Sequence, residues 1–347
     1  MIRITTNGTL RNYKSQLMNS TKNLNDRYNA VLTGRRFNAY SEDPVSATQA
    51  FRLRSSLATN AKQTSNNDTV VKKFSTAWDI IGDVHEDLVV KMGKVPALEG
   101  SNGTNLSVLP ELGQVLSAGA DAIVQDMNGK YGDNFIFGGA DTLKVPFEFN
   151  DKGELLYRGQ KVDDMKPTDP ADPDNPNTYE KIDDKLYVDV GLGFQEGDNG
   201  IISSSAYDSA LNGLDFLGYG KDGEGKPENV VSIMKELGAM FQSYDSKTNT
   251  WGKGSAEEAQ KLMNKLEQAS DRLNKAHVEL DAKTTFLKTN QDRLTATGDN
   301  LNEQVVNVED VDPAQAIMEL VWAQQAYNAA LKVGTNIIPQ SLLDYMN

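Results

Sequence analysis

There is no cysteine among the 347 residues, so disulfides, thiolate metal sites and a cysteine nucleophile are excluded. Histidine is nearly absent. His85 and His277 stand alone, with no second ligand at metal spacing beside either, and both are expected to be structural. No run of eighteen apolar residues occurs, which excludes a helical membrane span. The opening "MIRITTNGTLRNYKSQ" lacks the apolar core of a cleaved secretory signal, so any export is expected to use another route. Apolar residues make up only 38% of the chain, too few for one large α/β core and suited to long two-sided helices. The net charge of −14 opposes binding to phosphate backbones. Residues 1–54 are the exception, with nine Lys/Arg against three Asp/Glu. Arg3, Arg11, Lys14, Lys22 and Arg27 are spread along about six turns rather than gathered on one face, so neither nucleic acid nor a membrane is an expected partner.

What the chain does have is heptad periodicity at both ends. Leu10, Leu17, Leu24 and Val31 fall seven apart, flanked by Tyr13 and Tyr28. A second register runs from Ala50 through Leu53, Leu57, Asn60, Phe74, Trp78, Ile81 and His85 to Met92, which as a helix is roughly 65 Å long. In the C-terminal third, Ala259, Leu262, Leu266, Ala269, Leu273, Ala276 and Leu280 form a tight seam. Leu287, Leu294, Leu301 and Val308 continue it, with Lys283, Asn290, Thr297 and Gln304 between them. A last segment stripes Ile317, Leu320, Gln324, Tyr327 and Leu331. These stripes lie on polar helices and cannot bury themselves alone, so the two ends are predicted to pair and then to pack between subunits.

The long helices are broken twice by the same device. Gly34 suits a left-handed helix cap, and Asp43-Pro44 suits an N-cap followed by a first helical residue. Asp312-Pro313 repeats that start in the C-terminal half. The middle of the chain differs in kind. A shorter helix is predicted over 110–127, a short aromatic strand over 135–137, a hairpin around Asn150–Gly153, an acidic proline-rich loop over 163–184, a strand near 185–194 and a helix over 227–241. The fold class is therefore mainly α with a small β insert, its long terminal helices pairing as a coiled coil or rod.

Few residues suggest chemistry. Gly218, Gly220 and Gly223 match a Gly-x-Gly-x-x-Gly pattern, and Gly220 to Lys226 matches part of a P-loop. Pro227 stands where a Mg²⁺-binding Ser or Thr is required, and Asp222 and Glu224 repel phosphate. The acidic stretch 169–174 lacks the Gly and terminal Glu of a calcium loop. No serine lies in a nucleophile elbow. No catalytic residue, cofactor site or metal site is expected.

Several motifs together resemble a known family. Thr33, Gly34, Arg36, Asn38, Ser41, Asp43 and Pro44 are similar to the Thr/Ser-Gly-x-Arg-x-Asn…Ser-x-Asp-Pro segment that flagellin and the flagellar hook-associated proteins carry after their first helix. "RITTN" at Arg3–Asn7 resembles that family's opening, displaced by Ile2. "NGKYGDNFIFGGADTLKVPF" resembles the Asn-Gly-x-Tyr-x-Phe-x-Gly…Pro-Phe signature of its hook–filament junction branch, the hook-associated protein 3 type. "SLLDYM" resembles the ending of that branch. The resemblance spans about two-thirds of the chain and is loose over 150–225.

The resemblance implies a flagellin-like structural protein, not an enzyme, forming an adaptor layer between hook and filament. Implied partners are copies of itself in a ring, the first hook-associated protein, flagellin and an export chaperone. Location is the extracellular hook–filament junction, reached unfolded through the flagellar secretion channel without a cleaved signal. Residues 1–43 with 310–347 would form the assembly domain, 44–145 with 208–309 a helical rod, and 146–207 an outer β domain. The assembly interface would comprise Leu10, Tyr13, Leu17, Leu24, Tyr28, Val31, Ile317, Leu320, Tyr327, Leu331, Leu342 and Leu343. The linkers would comprise Gly34, Arg36, Asn38, Asp43, Pro44, Asp312 and Pro313. Two alternatives stay open: a filament flagellin, and a nucleotide-binding enzyme using the 218–228 loop.

Overall fold

A computed structural model describes residues 6–101, 106–166, 185–197 and 200–337. Long helices form where the heptad stripes predict them: α1 over Thr6–Thr33, α2 over Pro44–Asp83, α7 over Ala256–Glu309 and α8 over Pro313–Ile337. The chain divides into two compact units, residues 1–61 with 295–347 and residues 62–294.

In the first unit, α1 packs on α8. They run antiparallel, since Tyr13 Oη donates to Ala330 O at 3.2 Å while Arg27 pairs with Glu319 at 2.6 Å. The seam between them is lined largely by small side chains. Ala30, Ala316, Ala323 and Gly334 are buried, with Tyr13, Leu17, Leu24, Leu320 and Tyr327 half-buried beside them. A Cβ on Gly334 would fall 2.0 Å from Tyr13 Oη, so the close approach at this end depends on glycine.

The second unit holds the core. Within it, α2 continues into a π-helix, Val84–Lys94, and then α3, Val95–Ser101. The single register expected from Ala50 to Met92 is kept only in part: Phe74 and Ile81 are buried, but Val70 and Ala77 take the inward places expected of Val71 and Trp78. Buried positions run Val70, Phe74, Ala77, Ile81 and Val84 in steps of three and four, and within the π-helix the next are Val89 and Gly93, the longer first step following from its larger number of residues per turn. Trp78, expected on the seam, is exposed along one side and stacks on His277 with ring centroids 4.7 Å apart. In α7, Leu262, Leu266, Leu273, Leu280, Leu287 and Leu294 are buried as their spacing predicts. Lys283 is exposed instead, and its neighbour Thr284 takes the inward place, donating its hydroxyl to Leu280 O at 2.8 Å.

Helix α4, Leu109–Met127, packs on α6, Val230–Gln242. Two glycines set how closely they approach: a Cβ on Gly113 would meet Gly238 O at 2.6 Å. Helix α6 starts later than Pro227 because Asn229 is its cap, accepting from Val231 N at 2.8 Å and Ser232 N at 3.3 Å. The strands are short. β1 (Lys130–Tyr131) pairs with β2 (Asn134–Phe135) around Gly132, which lies at φ +61°. β3 (Phe147–Phe149), β4 (Leu155–Tyr157) and β5 (Gln160–Lys161) form an antiparallel sheet with Phe147 opposite Tyr157. The Asn150–Gly153 hairpin is present, Asn150 Oδ1 accepting from Lys152 N and Glu154 N at 3.0 and 2.9 Å. β6 (Tyr187–Val188) pairs with β9 (Tyr207–Asp208), β7 (Glu196–Gly197) with β8 (Gly200–Ile201), and β10 (Tyr244–Asp245) with β11 (Thr250–Trp251). A short α5 spans Gly213–Leu217. Most of the acidic loop, 167–184, lies outside the described residues.

The Asn-Gly…Pro-Phe signature has a packing explanation. Asn128 binds both backbone groups of Phe147, accepting from its N–H at 3.0 Å and donating to its carbonyl at 2.8 Å. Phe147 packs on Tyr157, whose hydroxyl donates to Phe137 O at 2.9 Å. A Cβ on Gly213 would strike the Phe147 ring at 2.4 Å.

A polar network ties the segment 186–191 to α2 and α7. Buried Asn290 donates to Asn67 Oδ1 at 2.9 Å and to Val190 O at 2.8 Å. Asn67 donates to Leu287 O at 2.9 Å and Gln291 Oε1 at 2.7 Å, and Arg293 reaches Gly191 O at 2.9 Å. Gln63 and Asn66 bind Asp189 beside it. A buried asparagine pair of this kind is satisfied in one register only.

Candidate assembly interface

The linker between α1 and α2 is built as its residue types predict. Gly34 lies at φ +68° and its N–H closes the helix on Ala30 O at 2.9 Å. From there the chain turns back along the end of α7: Arg36 N donates to Glu309 O at 2.7 Å, and Val311 N to Gly34 O at 3.0 Å. Arg54 pairs with the buried carboxylate of Glu309 from α2. Asn38 N donates to Glu42 Oε2 at 2.7 Å, which shapes the turn before the next helix. Asp43 caps α2, accepting from Ser46 N at 3.0 Å, and the hydrogen bonds from Ser46 hold its carboxyl below the usual carboxylate range. Asp312 repeats the motif on α8, accepting from Ala314 N at 2.8 Å, with Pro44 and Pro313 first in their helices. Arg36 is exposed.

The stripe residues divide between two faces. Tyr13, Leu17, Leu24, Val31, Leu320 and Tyr327 are half-buried. Leu10, Tyr28, Ile317 and Leu331 are exposed. Leu342 and Leu343 lie outside the described residues. The predicted α8 stripe thus straddles the α1–α8 seam: Leu320 and Tyr327 are on it, while Ala316 and Ala323 occupy the places beside Ile317 and Gln324. Alanine and glycine fill much of the seam, and several larger side chains of both helices are left off it. Met18 is 64% exposed, and Leu32 and Trp322 are each 66% exposed, with Met318, Val321 and Val333 also exposed. Heptad spacing did not single these out. The signal that finds them is that α8 is apolar almost all round, which is the pattern of a helix covered on more than one side.

The polar groups of the remaining motifs are engaged within the fold. In the Gly-rich loop, Asp222 Oδ1 accepts from Glu224 N at 2.9 Å and Lys226 N at 2.8 Å, and its other oxygen pairs with Lys265 at 2.5 Å. That lysine bond holds the Asp222 carboxyl below the usual carboxylate range. The loop's N–H groups therefore already hold an anion of their own, where a phosphate cradle would leave them free. Burial pushes the His85 imidazole down, with its Nε2 3.3 Å from Ser270 Oγ, and His277 Nε2 lies 3.1 Å from Trp78 O. No group of three or more potential metal ligands occurs among the described residues.

Residues 262–346, covering most of α7 and all of α8, match the bacterial flagellin C-terminal helical region. No curated protein sequence matches the chain. Among solved structures, a flagellar hook-associated protein of Vibrio parahaemolyticus is similar over 78% of this chain and 100% of its own, at 17% identity and a TM-score of 0.57. FlgL of Xanthomonas campestris is similar over 73% of this chain and 99% of its own, at 12% identity and a TM-score of 0.53. Flagellar hook-associated protein 3 of Legionella pneumophila is similar over 74% and 98%, at 11% identity and a TM-score of 0.50.

The fold is that of the flagellar hook-associated proteins. At these identities the likeness is one of backbone architecture, and it agrees with the mainly α class read from the stripes and with the flagellin-like family that the motifs resemble. In this hook-associated fold the exposed apolar faces of α1 and α8 are the surface that calls for a function.

Proposed function

We propose that this chain is a structural, non-enzymatic subunit of the bacterial flagellum, forming an adaptor layer between hook and filament. The observation that carries the reading is the α1–α8 pair, joined through small residues and left with Met18, Leu32, Val321 and Trp322 facing outward. So much exposed apolar surface on two neighbouring helices is suited to burial between subunits. The flagellin-type C-terminal region and the hook-associated fold support the same reading. Neighbouring copies cover these faces in a ring, with the first hook-associated protein on one side and flagellin on the other. Residues 1–43 with 310–347 act as the assembly domain, 44–145 with 208–309 as the rod, and 146–207 as the outer β domain. The linkers at Gly34–Pro44 and Asp312-Pro313 join assembly domain to rod. Export proceeds through the flagellar secretion route without a cleaved signal, assisted by a chaperone.

The test replaces Met18, Leu32, Val321 and Trp322 together by serine in a strain lacking the wild-type gene. Exposed positions contribute little to the monomer, so its helicity and stability should change by about 0.5 kcal/mol or less per site. The variant should reach the culture medium while filaments fail to attach. Normal motility in that strain would overturn the proposal.

A further inference from the structure

Within the second unit, a cleft of about 300 Å³ opens between α2, the β1–β2 hairpin and the β6 segment. That volume lies at the small end of ligand sites. Its walls are mainly apolar: Val70, Tyr131, Phe135, Ile136, Leu186 and Val188. The polar side chains at its rim are already engaged. Asn66 donates to Asp189 O, Thr69 to Ser65 O, and Thr142 to Asn134 Oδ1.

Lys73 is different. Its ammonium has three protons to donate, and one is used, on Ser209 O at 2.9 Å. Asp208 is the acid whose charge acts on it, but Asp208 Oδ1 accepts from Leu186 N at 3.0 Å and Ala210 N at 3.1 Å. Asp208 acts on Lys73 as a nearby charge, and the bond Lys73 makes is the one to Ser209 O. Burial consequently outweighs that carboxylate and pushes the Lys73 amine down to about 8. A cation held in an apolar cleft, its nearest carboxylate bonded to backbone N–H groups instead, is stabilised by an anion that brings its own apolar surface.

We propose that this cleft binds a small carboxylic acid with a compact apolar body, its carboxylate on Lys73 Nζ and its body against Val70, Ile136 and Val188. The shape selects for size and the amine for charge. Larger acids overfill the cleft, and neutral isosteres leave the ammonium unpaired.

The probe is 4-isopropylbenzoate, titrated into the full chain by calorimetry and by NMR of lysine labelled at Cε, with 4-isopropylbenzyl alcohol as the neutral isostere. The acid should bind with a Kd of about 0.1–1 mM. The alcohol should bind at least about tenfold more weakly, and Lys73→Met should reduce the acid to the level of the alcohol. Val188→Trp, which fills the cleft, should abolish binding of both. If Lys73→Met fails to fold, the wild-type Lys73 Cε resonance decides: it should shift on titration with the acid and not with the alcohol. Equal affinity for acid and alcohol, an unmoved Lys73 resonance, or an unaffected Lys73→Met variant would overturn the proposal.

Discussion

Replacing Asn290 by leucine probes the buried polar network that ties α2, α7 and the segment 186–191 together. The change deletes the donor to Asn67 Oδ1 and Val190 O, and the acceptor for Arg293 at 2.7 Å. Asn290 and Asn67 are both buried, so water cannot readily replace those bonds. Each orphaned buried group costs about 1–3 kcal/mol. The added apolar surface of leucine returns about 1–2 kcal/mol. A net loss of about 2–3 kcal/mol follows. In the double variant Asn67→Leu/Asn290→Leu, neither asparagine strands the other, so its cost should fall short of the summed single costs by at least about 1 kcal/mol. Urea unfolding followed by circular dichroism gives the stabilities. Amide exchange at Gly191 and Ser209 reports whether the 186–191 segment loosens first. A neutral Asn290→Leu, or strictly additive single and double variants, would refute the idea that this network fixes the register of the helices and the docking of the β segment.

Other perturbations have defined outcomes. Gly34 has open space at its Cβ position but a left-handed φ, so Gly34→Ala should cost about 1–2 kcal/mol through backbone strain alone. Faster amide exchange at Arg36 and Val311, whose bonds depend on that turn, is the readout. Gly334→Ala should displace the Tyr13 ring and lose its bond to Ala330 O, at about 1 kcal/mol, and Tyr13→Leu should relieve the clash; additive effects of the two would be the contrary result. Lys73 titrates near 8 in the folded chain against an ordinary 10.5, so between those values the unfolded chain binds more protons and stability rises with pH. Relative to Lys73→Met, the wild type should gain about 2 kcal/mol between about pH 7.5 and 9.5 in urea melts. A flat difference across that range would contradict the buried position of the amine.

The parts of the fold legible in the sequence were those governed by local rules. Both Asp-Pro helix starts, the Gly34 cap and the leucine stripe of α7 need only periodicity and capping chemistry, and all are present. The burial of Ala77 in place of Trp78 and the shift of register after Val84 were not legible. A π-helix arises from tertiary packing around Val84, Val89 and Gly93 and leaves no distinct residue pattern. The strand expected over Phe135–Phe137 ends at Phe135: Ile136 N turns to Gly129 O and Phe137 O accepts from Gly213 N, while Phe137 packs edge-on against Phe216. The candidate surface was half visible. Heptad counting marked Leu320 and Tyr327 on the α1–α8 seam, but it could not show that alanine and glycine would fill much of that seam and leave Trp322 outside.

The most direct test of the adaptor role is electron microscopy of flagellated cells from which this gene alone is deleted. Hooks should remain on the cell surface, no filament should be attached, and flagellin should accumulate in the medium, with attachment restored by the wild-type gene. Full-length filaments on the deletion strain would contradict the account.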